Sequence, residues 1–147
     1  MAKITFTAKY GNANVLRLIN TFVKLKDGRV GFFDGKAYGN GLTVAENAAI
    51  QHFGTKYIPA RPFMDIAAKN FKNKKSQIAK IYANALLNMS AELANKRVGA
   101  LYEQEMRKAI RDGNFAALDP KTIKAKGSSK PLIDTALLIQ SVEFREK

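Results

Sequence analysis

The sequence contains no cysteine and a single histidine, and both shortages limit its chemistry. Without Cys the chain cannot form disulfides, thiolate metal sites or a Cys nucleophile. His52 alone cannot supply a metal site built from several imidazoles, and its place on a short apolar helix beside Phe53 favours a packed or interface His. No apolar run approaches the ~20 residues needed to span a bilayer, and the first residues lack the apolar core of a secretory signal. We therefore expect a cytosolic setting and no membrane partner.

The sequence also lacks the motifs of common catalytic sites. The Gly-rich stretch GKAYGNG at residues 35–41 has neither the Gly-Lys-Ser/Thr of a P-loop nor the full dinucleotide fingerprint. No Ser lies in a G-x-S-x-G elbow. The neighbouring carboxylates Glu103 and Glu105 do not share a helix face, so they do not form a catalytic pair. We expect no catalytic residue, metal or cofactor; an enzyme acting on an anionic substrate would need a converging acid/base cluster that the sequence does not display.

What the chain has in excess is positive charge. Its 147 residues carry 25 Lys and Arg against 12 Asp and Glu, a net charge of +13. Between Lys56 and Lys130 the balance is 16 basic to 6 acidic residues, so this segment holds most of the excess. Such a segment indicates a polyanionic partner, either nucleic acid or an acidic protein surface. The alternative, that solvated lysines merely keep the protein soluble, remains open.

Hydrophobic spacing and turn residues predict a β-α-β-α-α(α)-α-β order. In its first half we expect a strand at residues 3–9, a helix at 13–25, a strand at 29–33, a loop at 34–41, a helix at 44–53 with a Thr43/Glu46 capping box and Gly54 as its stop, and a stiff extended segment at 57–63. In its second half we expect one bent helix or two consecutive helices between residues 63 and 112, a short helix opened by Asp119 and Pro120, a loop at 127–131, a short helix at 136–140 and a closing strand at 142–144.

These elements predict one α+β domain over residues 1–147. We expect a small sheet of about three to four strands, packed by the N-terminal helix and by the long central helices. A chain of this length suits a single domain, and the sequence shows no internal repeat or linker.

Three segments together resemble a known family. They are VAENAAIQHFGTKYIPARPFM at Val44–Met64, LDPKTIKAKGSSKPLIDTALL at Leu118–Leu138, and SVEF at Ser141–Phe144. They resemble the bacteriophage virion-morphogenesis proteins, the tail-completion or head–tail joining components of long-tailed phages. The family pattern has AAxxxFGT followed by IPARPF, and later TIxxKGSSKPLIDTG. This chain has Ala136 at the last Gly, and if that Gly adopts a positive φ, Ala would cost on the order of 1 kcal/mol.

The resemblance implies a structural virion protein of the neck or tail, assembled in the host cytoplasm. Its subunits would form a ring, which we expect to be a homo-hexamer, between the head connector and the tail tube, and genomic double-stranded DNA would pass through the lumen. We expect the stiff proline segment and the basic loop to contact neighbouring subunits, with the prolines lowering the entropy lost on docking. The expected interface residues are Phe53, Tyr57, Ile58, Arg61, Phe63, Lys124, Lys126, Ser128, Ser129 and Lys130.

Two alternatives accompany these expectations. Pro59 and Pro62 would merely turn the chain between helices if Phe63 belongs to the core. The alternative function is a free, non-specific nucleic-acid-binding protein, for which Lys72, Lys74 and Lys75 are the candidate DNA-facing residues. A solvated helix junction explains the same three lysines and is the interpretation that the pattern favours.

Overall fold

A computed structural model describes residues 20, 23–87, 90–127, 129, 132 and 136–147 of the chain. The predicted strand at residues 3–9 lies outside this part, as does most of the helix predicted at 13–25. In chain order the described elements are β1 (Gly28–Gly31), α1 (Val44–Phe53), α2 (Phe63–Lys72), α3 (Lys75–Leu87), α4 (Ala91–Asp112), α5 (Pro120–Lys126), α6 (Leu137–Gln140) and β2 (Glu143–Glu146).

The predicted sheet of three to four strands is wrong. Within the described residues the sheet has two strands, β1 and β2, which pair antiparallel with Gly28 opposite Glu146 and Gly31 opposite Glu143. Both strands contain four residues, so the pairing is short. Helix α4 packs against both strands, and the described part of the fold is α+β but mostly helical.

Helix α4 is the element on which most of the others pack. It is 22 residues long and contacts α2, α3, α6 and both strands. The sequence predicted one bent helix or two between residues 63 and 112, whereas the structure has three separate helices there, α2, α3 and α4. The side chain of Ser90 opens α4 by accepting a hydrogen bond from the Leu93 backbone N–H at 3.3 Å. The irregular spacing of apolar residues after Leu93 therefore lies inside a continuous helix, where small residues face the sheet.

Gly99 of α4 allows the sheet to lie close to the helix. The Phe144 ring of β2 lies against this glycine so tightly that a Cβ atom there would stand 2.3 Å from the ring. Glu103 accepts a hydrogen bond from the Phe144 backbone N–H at 2.6 Å, and Arg107 donates to the Val142 carbonyl at 2.7 Å. The end of the chain is thus fixed to α4 by packing and by charged hydrogen bonds.

The hydrophobic core lies between α1, α2, α4 and the C-terminal elements. Phe63 and Val44 are the largest fully buried side chains, and burying a side chain such as Phe63 contributes about 1.5–3 kcal/mol. The Phe32 ring meets Phe63 edge-on, with the ring centroids 5.9 Å apart. The buried residues of this core are Val44, Ala48, Phe63, Ala67, Met106, Ala109, Ile110, Leu132, Leu138 and Val142.

The predicted helix boundaries are confirmed where capping chemistry defined them. Thr43 and Glu46 form the full capping box of α1, and the Thr43 hydroxyl and backbone hydrogen bonds lower the pKa of Glu46. Asp119 caps α5, accepting from the Lys121 backbone N–H at 2.8 Å, with Pro120 at its first turn. Side-chain caps of this kind satisfy backbone donors that the helix itself leaves without partners.

Candidate docking surface

The segment Tyr57–Phe63, called the proline segment below, is folded back on α1. Helix α1 stops at Gly54, whose backbone has φ 74° and ψ 179°. Thr55 then closes a turn, since its backbone N–H donates to the Ile58 carbonyl at 2.8 Å. The Arg61 backbone N–H donates to the Gln51 carbonyl, also at 2.8 Å. The proline segment is therefore closed by a turn near its start and hydrogen-bonded to α1 at Arg61.

One end of this arrangement exposes aromatic side chains. Phe53 is 76% exposed and Tyr57 is 86% exposed. The ammonium group of Lys56 lies 5.6 Å from the centroid of the Tyr57 ring, within cation–π range. We call Phe53, Lys56 and Tyr57 the aromatic corner. Large exposed aromatics beside a cation are typical anchors of protein interfaces.

The other end turns its side chains inwards, which corrects part of the predicted interface. Phe63 is fully buried, and Arg61 is only 3% exposed. The Arg61 Nη1 group donates to the Gln51 side-chain oxygen at 2.5 Å. Neither residue is available on this chain as the exposed contact edge that we expected. The alternative placement of Phe63 in the core is the one observed, and its ring packs edge-on against Phe32 and His52.

Burial also changes the electrostatics of Arg61. Removal from water lowers the pKa of its guanidinium below the ordinary value. Its Nε–H group is buried and has no hydrogen-bond partner. A buried donor without an acceptor is costly, so this atom is one of the least satisfied positions in the fold.

A cavity of about 580 Å³ opens beside this guanidinium. Its walls are the proline segment with Gln51 of α1 on one side, and the chain that enters α5 on the other. The lining residues are Gln51, Tyr57, Ile58, Pro59, Arg61, Ala117, Leu118, Asp119 and Thr122. The structure therefore brings two of the three segments that carry the family resemblance to one place.

The predicted basic loop is described only in part. Lys124 and Ser129 are exposed, and Lys126 is the last residue of α5. Gly127 ends the helix in the left-handed conformation, with φ 70°. Ser128 and Lys130 lie outside the described residues. The predicted loop start after α5 is confirmed, and the loop's contacts stay a prediction.

The three candidate DNA-facing lysines do not have the same surroundings. Lys72 and Lys75 are exposed at the junction of α2 and α3. Lys74 is half-buried, and its ammonium group lies 3.2 Å from the carboxylate of Glu105, which is buried on α4. Lys74 is thus engaged in an ion pair that neutralises a buried acid. Sequence reasoning missed this pair because Lys74 and Glu105 are far apart in the chain.

His52 is packed against aromatic rings, as its position on an apolar helix beside Phe53 predicted. It is buried and meets the rings of Phe53 and Phe63 edge-on, at centroid distances of 4.6 and 5.6 Å. Its Nε2 atom lies 3.7 Å from the Asp65 carboxylate, and its Nδ1 atom has no hydrogen-bond partner. His52 therefore connects the aromatic corner with the core.

The described part of the chain shows no group of three or more His, Cys, Asp or Glu side chains placed to hold a metal ion. Among its helices none is both long and apolar enough to cross a membrane. In comparisons with protein-family models, curated proteins and solved structures, no match to this chain was found.

Proposed function

We propose that the chain is a structural subunit of a bacteriophage neck. It would form a ring, a hexamer by the family resemblance, that completes the tail, joins the tail tube to the head connector and lets the genome pass. The observation that best supports this is the aromatic corner, where Phe53 and Tyr57 stand exposed at the end of a helix and on a segment anchored by Thr55 and Arg61. A rigid apolar projection of this kind loses little entropy when a neighbour covers it.

Assembly of the isolated protein provides a direct test. A Phe53→Ser/Tyr57→Ser variant should keep its far-UV circular dichroism, because both side chains are exposed, yet shift from ring to monomer in sedimentation velocity. Leu87→Ser is the matched control, since Leu87 is 74% exposed but lies on α3. Equal assembly of the two variants would remove the aromatic corner from the interface.

Virions provide the test of the biological role. Particles made without this chain should show filled heads beside detached or unfinished tails, and the wild-type chain supplied in trans should restore joined particles. Normal joined particles from the deletion would contradict the proposal.

Exposure of Lys72 and Lys75 supports the alternative function, non-specific DNA binding. If these residues contact phosphates, a Lys72→Gln/Lys75→Gln variant should flatten the plot of log affinity against log salt by about 0.9 per lost contact. Fluorescence anisotropy with a labelled duplex measures this slope. Absence of binding by the wild-type chain at low salt would dismiss the alternative.

A further inference from the structure

The cavity beside Arg61 has the size and composition of a binding site. Pockets for ligands in proteins commonly enclose about 300–1,000 Å³ and combine apolar walls with a few fixed polar groups. Here Ile58, Pro59 and Leu118 supply apolar surface, and the cavity measures about 580 Å³. Gln51 and Arg61 supply the polar groups.

The guanidinium of Arg61 is arranged to accept a further partner. Gln51 occupies its Nη1 group, and the Nε–H group has no acceptor. The ion pairs formed by the described residues do not include Arg61. A carboxylate is the strongest hydrogen-bonding partner of a guanidinium, and Arg61 lines the cavity without such a partner among the described residues.

The acid that lines the opposite wall has another task. Asp119 accepts the backbone N–H of Lys121 and caps α5. Its carboxylate is exposed at the cavity wall, where water screens its charge. The buried, unpaired charge in this cavity is therefore positive.

Charge also distinguishes the kind of partner. The chain carries a net charge of +13, which attracts acidic partners at long range. Exposed Lys56 lies on the proline segment's side of the cavity, next to Tyr57. An acidic segment of a different protein would complement both this net charge and the unpaired guanidinium.

We propose that this cavity binds an extended acidic peptide segment of another protein, with an Asp or Glu carboxylate accepting hydrogen bonds from Arg61. Apolar residues beside that acid would pack on Ile58, Pro59 and Leu118. The proposal deepens the proposed function, because it gives the chemistry of the partner that docks beside the aromatic corner. It rests on that function only for the partner's place in a virion, since the isolated chain suffices to test the binding.

The Arg61 side chain itself reports on binding. In a ¹⁵N–¹H spectrum of the full chain, the Nε–Hε signal of Arg61 should shift downfield and saturate on titration with a capped peptide that has a central Glu between apolar residues. The same peptide with Gln in place of Glu should bind about tenfold more weakly or worse, the effect of losing a charge-assisted hydrogen bond.

A variant that fills the cavity avoids removing the buried Arg61. Ala117 lines the cavity and is exposed, so Ala117→Trp should block the peptide while the fold and the other side-chain signals persist. Asn114→Trp is the matched control, because Asn114 is exposed on the same connection but does not line the cavity. It should bind the Glu peptide as the wild-type chain does.

Three results would overturn the proposal. They are equal binding of the Glu and Gln peptides, an Arg61 shift that survives Ala117→Trp, and a shift produced by a short DNA duplex and not by the Glu peptide. The last would assign the cavity to phosphate. Joined virions from a deletion strain, by contrast, would contradict only the neck function and leave the peptide binding intact.

Discussion

The two ends of the proline segment carry similar side chains in opposite environments. Tyr57, beside Phe53, faces solvent with a lysine over its ring, whereas Arg61 and Phe63 are buried a few residues later. The lysines at the next helix junction divide in the same way, since Lys74 is paired with a buried acid and Lys72 is exposed. Residue type alone therefore does not determine whether a side chain is exposed or buried here. That depends on which side of the backbone faces α4 and the core.

The largest predicted effect is the difference in stability between replacing Phe63 and replacing Phe53. Phe63→Ala removes a fully buried ring and should lower the free energy of unfolding by about 4 kcal/mol, through lost burial and the cavity left behind. Phe53→Ala should change it by no more than about 0.5 kcal/mol, since Phe53 is mostly exposed. Urea unfolding followed by circular dichroism at low protein concentration measures both. Similar losses for the two variants would refute the division.

The ion pair between Lys74 and Glu105 should give the next largest effect on stability. Lys74→Ala leaves the Glu105 carboxylate buried without its partner and should cost roughly 3 kcal/mol. Lys72→Ala, as the matched control, should stay within about 0.5 kcal/mol of the wild type. Adding Glu105→Gln to Lys74→Ala should recover part of the loss, because the unpaired charge is then gone. If Lys74→Ala left the free energy of unfolding unchanged, the ion pair would contribute nothing to stability.

Gly54 determines the direction in which the chain leaves α1 towards the exposed Tyr57. Its φ and ψ lie in a region that is essentially restricted to glycine, and an added Cβ would stand 2.7 Å from the Ala60 nitrogen and the Ile58 oxygen. Gly54→Ala should therefore cost about 2 kcal/mol, measured by the same unfolding experiment. Gly39→Ala is the control, as nothing lies within 4 Å of its added Cβ. Equal stability of both variants would show that the turn after α1 relaxes freely.

Local signals in the sequence predicted the helix ends well. Thr43 with Glu46, Gly54, and Asp119 with Pro120 each define a boundary through contacts within a few residues, and these boundaries are confirmed. The two strands were also found, although their extents differ from the prediction. The predicted number of strands was wrong, since the described residues form a two-stranded sheet, and the sequence does not say which segments pair.

The candidate site was less predictable, because it depends on side chains that meet across the chain. The pattern YIPARPF correctly indicates a stiff segment, but it carries no sign that Arg61 donates to Gln51 ten residues earlier. Likewise Lys72, Lys74 and Lys75 look equivalent until the fold places Glu105 beside one of them. Burial of a polar residue is a tertiary property, and periodicity alone does not reveal it.

The smallest predicted effect concerns the second position where the backbone needs a positive φ. At Gly54 the chain has the residue that the conformation favours, whereas Ala136 adopts the left-handed conformation with φ 60°. The Cβ of alanine makes this conformation unfavourable, so Ala136→Gly should raise the free energy of unfolding by up to about 1 kcal/mol, less the greater entropy that glycine loses on folding. Ala125→Gly, at an exposed position inside α5, should instead lower it by a similar amount, because glycine is a poor helix former. Thermal unfolding of the two variants beside the wild type measures the opposite signs, and a destabilised Ala136→Gly would mean that the entropy of glycine outweighs the relief of strain before α6.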